Sequence, residues 1–120
     1  MDKREEHEQQ AVIEWACWMM GKYPELRWLY HTPNGGKRDK ATAATLKSIG
    51  VKAGVPDLCL PVARGGYHGL YIEMKADGGR TSAEQREWLE GLREQGYEAI
   101  VRVGADAAID AIEEYLRRDK

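Results

Sequence analysis

Apolar residues recur at helical spacing near the start of the chain. Val12, Ile13, Ala16, Cys17 and Met20 share one wide arc, and Gly21 follows. This predicts a helix from about Glu5 to Met20. Arg27 to His31 reads as a short strand, closed by the turn Thr32-Pro33-Asn34-Gly35-Gly36. A second helix is expected from Asp39, which can cap its start, to Ile49, with Gly50 as its stop. Strands follow at about Asp57–Val62 and Gly69–Ala76, joined as a hairpin by Arg64-Gly65-Gly66-Tyr67-His68. Thr81-Ser82-Ala83-Glu84 reads as a capping box opening a helix to about Gln95, with Gly96 at its end. Glu98–Val103 is the last strand, and Ala105–Leu116 the last helix, with Ala108, Ile109, Ile112 and Leu116 on one stripe.

The order is helix, strand, helix, strand, strand, helix, strand, helix. The helix between the last two strands is a crossover, which requires at least one parallel pair. The expected fold class is therefore α/β, a small mixed four-stranded sheet flanked by helices. At 120 residues the chain has the size of one domain, spanning 1–120.

Composition narrows the class. Hydrophobic residues make up 42% and charged residues 32%, the balance of a soluble globular domain rather than a disordered one. No apolar run approaches the ~20 residues needed to cross a bilayer. The opening Met1-Asp2-Lys3-Arg4-Glu5-Glu6 is charged and lacks the apolar region of a signal peptide, so a cytoplasmic location and no membrane partner are expected. Cys17 and Cys59 form no CxxC pair and are expected to be buried and reduced. His7, His31 and His68 have no zinc-ligand spacing. Net charge is -2, but between Lys37 and Lys52 five basic residues (Lys37, Arg38, Lys40, Lys47, Lys52) face one acid, Asp39. That segment is compatible with a phosphate backbone, although taken alone a solvated helix face is the favoured reading.

The chemistry concentrates in Gly54-Val55-Pro56-Asp57 and Ile72-Glu73-Met74-Lys75. On a strand, Glu73 and Lys75 point one way, while Leu70, Ile72 and Met74 point the other, into a core. A hairpin would bring Asp57 beside them. Two carboxylates about 4 Å apart repel by roughly 4 kcal/mol at a surface-like dielectric. Lys75 offsets part of that, and a divalent cation would offset more. An E-x-K pair alone could be a plain surface ion pair. The preceding Gly-Val-Pro-Asp tips the balance toward a site.

Other candidates carry two readings each. Gln85 lies on the stripe of Leu89 and Leu92, and either caps a backbone group or reaches the site. Glu6 and Gln10 share a helix face with Ile13 and Cys17, so Glu6 could supply a third carboxylate, with Glu8 and Glu14 competing. Asn34, Lys37, Arg38, Lys47 and Lys52 are candidate DNA-phosphate contacts. His31 is either a site residue or a buried imidazole, the latter favoured. Trp15, Trp18, Trp28 and Trp88 are expected in the core or at a dimer contact.

Several segments together resemble the VRR-NUC branch of the PD-(D/E)XK nucleases. These are Glu6-x-x-x-Gln10, His31-Thr32-Pro33-Asn34-Gly35, and Lys47-x-x-Gly50-Val51-Lys52-x-Gly54-Val55-Pro56-Asp57-Leu58. Gly69-Leu70-Tyr71-Ile72-Glu73-Met74-Lys75, Ser82-x-x-Gln85-x-x-Trp88-Leu89 and Gly96-Tyr97 continue the likeness. The family's Val-Arg-Arg segment has no clean counterpart; Val101-Arg102-Val103 is nearest. The resemblance implies a restriction-endonuclease-like fold and Mg²⁺- or Mn²⁺-dependent cleavage of DNA phosphodiesters. Asp57, Glu73 and the Met74 carbonyl would hold the metal, Lys75 would act on the attacking water, and Glu6 and Gln85 would assist. Stand-alone members resemble Holliday-junction resolvases acting as homodimers on branched DNA, which is the expectation here. Flap- or nick-directed cleavage, or a non-catalytic DNA-binding module, are the alternatives.

Overall fold

The computed structural model describes residues 2–33 and 39–120. Its helices are α1 (Lys3–Trp18), α2 (Lys40–Ser48), α3 (Ala83–Glu94) and α4 (Ala105–Leu116), with a 3-10 turn over Pro24–Trp28. Its strands are β1 (Tyr30–His31), β2 (Leu58–Leu60), β3 (Leu70–Lys75) and β4 (Glu98–Val103). They form one mixed sheet in the order β1-β2-β3-β4. The β1/β2 and β2/β3 pairs are antiparallel, and β3/β4 is parallel across the α3 crossover. The expected α/β class, hairpin and parallel pair are all present.

Side-chain alternation gives the sheet two different faces. Leu58, Leu60, Leu70, Ile72 and Met74 are all but fully buried against Val12 and Ala16 of α1 and Ala108, Ile112, Tyr115 and Leu116 of α4. On the opposite parity stand Cys59, Tyr71, Glu73 and Lys75, the face to which α3 contributes Gln85. Burying the apolar set drives folding. The same alternation leaves Glu73 and Lys75 no choice but to share the other face.

Several expectations need correction. Only Tyr30–His31 of the expected Arg27–His31 strand is extended. Pro24 sets the φ of a first helical residue, and the following turn tucks Leu26 into the core while leaving Trp28 54% exposed. The α3 capping box is Ser82 with Gln85, not Thr81 with Glu84. The buried stripe of α1 runs through Val12 and Ala16, so Cys17 and Met20 are exposed; Cys59 is buried as expected. His31 is exposed, not buried. Trp18 is 87% exposed and takes no part in the core, while Trp15 packs against it. Asp39 does cap α2, accepting the Thr42 N–H at 2.7 Å. No helix among the described residues is long and apolar enough to cross a membrane.

Candidate functional site

β3 outruns β2. The last β2/β3 partners are Leu58 and Ile72, so Glu73–Lys75 extend beyond the hairpin with β4 as their strand neighbour. The Met74 N–H, on the edge that faced β2, would lack a strand acceptor there, and an orphaned buried N–H is costly. Asp57 fills that place: its Oδ2 accepts the Met74 N–H at 2.8 Å. Pro56 and Asp57 are buried, so the carboxylate arrives on a stiff lead-in. In a strand, a residue's C=O leaves from the same edge as its N–H. The Met74 carbonyl is therefore on the Asp57 side.

Glu73 is 1% exposed. Its Oε2 accepts from Gln85 Nε2 at 3.0 Å and lies 3.7 Å from Lys75 Nζ. Its Oε1 is buried with no hydrogen-bond donor. Burial first, then the adjacent Asp57 carboxylate, pushes the Glu73 pKa up to about 8, while Lys75 pulls it down. The two carboxyls can hydrogen-bond to each other only when one of them holds a proton. Lys75, also buried, is fixed at its backbone by the Gly104 N–H, which donates to the Lys75 carbonyl at 3.0 Å.

Gln85 resolves its two sequence readings by fulfilling both. Its Oε1 accepts the Ser82 N–H at 2.8 Å, completing the capping box, and its Nε2 serves Glu73. The first turn of α3 also meets the Gly-Val-Pro-Asp segment. Gly54 has φ +89, and a Cβ there would stand 2.7 Å from the Glu84 carbonyl carbon. Only glycine allows that approach.

Asp57, Glu73, Ser82, Glu84 and Gln85 line an open cleft of about 540 Å³. Its far wall comes from Leu46 and Lys47 of α2 and from Lys52. Two of the expected phosphate contacts, Lys47 and Lys52, thus border the cleft; Asn34, Lys37 and Arg38 lie outside the described residues.

The first-helix carboxylate is Glu5 rather than Glu6. Glu5 lines the cleft, and Glu6, Gln10 and Glu14 are exposed. A Cβ on Gly79 would meet Lys75 Cδ at 3.4 Å and Glu5 Oε2 at 3.5 Å, so those two side chains converge at one point. Glu8 is engaged elsewhere, accepting the Ala105 N–H at 2.6 Å. The wide apolar arc of α1 offers two stripes, 5, 9, 12 and 16 or 6, 10, 13 and 17, and the sequence does not choose between them. Choosing Ile13 and Cys17 as the inward face rotated the expected carboxylate by one residue.

Among the described residues no three His, Cys, Asp or Glu side chains are grouped to ligate a metal. The donors present still fit a hard divalent cation. Two buried carboxylates adjoin, Glu73 Oε1 lacks a donor, and a peptide carbonyl flanks them.

A mixed sheet that sets Asp57 and Glu73 in the lining of an open cleft, with Lys75 beside Glu73, is a nuclease-like fold. The sequence pattern of the VRR-NUC domain family matches residues 3–106, and the chain belongs to that family. It is similar to a solved structure described as a "VRR_NUC domain protein", at 37% identity and a TM-score of 0.82, over 97% of this chain and 90% of that one. No curated protein matches the chain significantly.

Proposed function

We propose that the protein is a Mg²⁺- or Mn²⁺-dependent DNA endonuclease that cuts branched DNA, four-way junctions foremost, as a homodimer. The observation that carries the metal-dependent hydrolysis is the buried Asp57–Glu73 pair, with Glu73 Oε1 left without a donor beside a cleft bordered by Lys47 and Lys52. Family membership supports a nuclease acting on DNA.

Asp57, Glu73 and the Met74 carbonyl would hold the cation. When bound, it supplies charge for a phosphate oxygen and a water of lowered pKa. Gln85 keeps Glu73 Oε2 in place, which leaves Oε1 for the ligand. Lys75 as the ammonium orients the attacking water, or, once it has given up its own proton to solvent, accepts one from that water. Attack breaks the P–O3′ bond and leaves a 5′-phosphate and a 3′-hydroxyl. Lys47 and Lys52 neutralise backbone phosphates, so recognition follows DNA shape rather than base sequence. A four-way junction has two-fold symmetry, which a two-fold dimer matches with two sites. Exposed Trp18, at the end of α1, and Trp28 supply apolar surface for such a contact.

The test is cleavage of labelled four-way junctions, flaps, nicked and plain duplexes with Mg²⁺, with and without chelator. Chelator-sensitive cutting of the junction ahead of the rest is expected. Cutting of flaps ahead of junctions would move the substrate assignment, and no cutting of any of them would refute the nuclease reading.

A further inference from the structure

We propose that Glu8 is the positioning residue that sets the rotation of α1 and so delivers Glu5 to the cleft, an inference that rests on the nuclease reading above. The first N–H groups of a helix have no partner within it. α4 begins at Ala105 behind Gly104, which has φ +86 and no side chain to cap the helix. Glu8 supplies the missing acceptor from another helix, its Oε2 taking the Ala105 N–H at 2.6 Å. Its negative charge meets the positive end of α4. A Cβ built on Gly104 would meet Glu8 Oε2 alone within 4 Å, at 3.8 Å. The capping place at this turn is thus filled by Glu8.

The same dipeptide is tied to the site. Gly104 donates its N–H to the Lys75 carbonyl at 3.0 Å, and the next residue holds Glu8. Two hydrogen bonds therefore link α1 to the strand that carries Glu73 and Lys75. The remaining anchorage of α1 is largely apolar: Val12 and Ala16 are buried, and Ile13 and Trp15 pack partly buried against the core. Apolar contact is non-directional and resists rolling poorly. The Glu8 bond is directional, and it stands one turn from Glu5 on the same face. With Glu8 fixed, Glu5 Oε2 converges with Lys75 Cδ beside Gly79. Glu8 touches neither the cleft lining nor the carboxylate pair; it acts through Glu5.

The test compares wild type, Glu8→Ala and Glu8→Gln by junction-cleavage kinetics and by crystal structures of all three proteins. Glu8→Ala should lower kcat by about 100-fold, the usual penalty for a misplacement of ~1 Å, with KM little changed. Glu8→Gln keeps an acceptor oxygen and should recover most of that loss. In Glu8→Ala crystals, superposed on the sheet, Glu5 should shift by about 1 Å from Lys75, and in Glu8→Gln it should stay. Glu5 unmoved in Glu8→Ala, or Glu8→Gln as impaired as Glu8→Ala, would overturn the proposal. Should wild type cut nothing, the nuclease reading fails, and the crystal positions of Glu5 still decide the role of Glu8.

Discussion

Gln85 donates to Glu73 Oε2 at 3.0 Å with the same side chain that closes the first turn of α3. Fold stability and site geometry are therefore joined in one residue. Gln85→Ala should lower stability by about 1–2 kcal/mol through the lost cap. It should also lower cutting about tenfold, the equivalent of one further pKa unit on Glu73. Gln85→Glu keeps the Ser82 acceptor but adds a third carboxylate beside Glu73, and should cut more slowly than Gln85→Ala at pH 8. Urea denaturation and junction kinetics measure both. Full activity in both variants would remove Gln85 from the site.

Asp57 carries two duties, accepting the Met74 N–H and sharing the carboxylate pair. Asp57→Asn preserves an acceptor for Met74 and deletes the charge. Cutting should fall by more than about 100-fold, beyond the loss expected for an outer contact. Junction affinity should be nearly unchanged, because phosphate contacts carry it. Without metal and above pH 8, where Glu73 is ionised, the variant should melt higher than wild type, since the repulsion on Glu73 is gone. Gel shift, kinetics and melting in chelator check each part; undiminished cutting would refute the assignment.

The raised pKa of Glu73 gives a pH dependence of known sign. Between its ordinary 4.5 and about 8, native Glu73 holds a proton that the unfolded chain has lost. The unfolded state then binds fewer protons, so this group's contribution to stability falls as pH rises through the window. The change is of order a few kcal/mol in metal-free buffer. Mg²⁺ competes with that proton, so its stabilisation should be larger at pH 8 than at pH 5. At 100 times its Kd a ligand adds about 2.7 kcal/mol. Melting curves from pH 5 to 8.5, with Mg²⁺ or chelator, test this; Glu73→Gln should flatten the metal-free slope. A wild-type slope already flat would contradict the buried-pair electrostatics.

Gly54 and Gly50 make a matched pair. Both have positive φ, +89 and +110, but a Cβ at Gly54 would strike the Glu84 backbone, whereas one at Gly50 meets nothing within 4 Å. Gly54→Ala should cost about 2–4 kcal/mol through strain plus overlap, and Gly50→Ala about 1 kcal/mol through strain alone. Gly54→Ala should also slow cutting, because Glu84 is next to Gln85. Equal losses at the two positions would show that the close approach to α3 is unimportant.

The sequence by itself determined the element order, the hairpin and crossover, and the convergence of Asp57, Glu73 and Lys75. Each follows from a local rule: side-chain period, glycine and proline punctuation, and the fixed register of a short hairpin. The bounds of β4 and α4 were legible to the residue, because Gly96 and Gly104 bracket the strand and a clear helical stripe follows. Only tertiary structure decided the rotation of α1. Its arc reads as wide in the sequence, and which part turns inward depends on packing against α4 and β3 and on one bond from Glu8 to Ala105. A helix turned by one residue moves each side chain about 100°, which separates Glu5 in the cleft from Glu6 in solvent. Tertiary structure also decided that Leu26 enters the core through a 3-10 turn, and that Gln85 both caps a helix and holds Glu73. Local propensity states what a side chain can do, whereas packing selects which neighbour it meets.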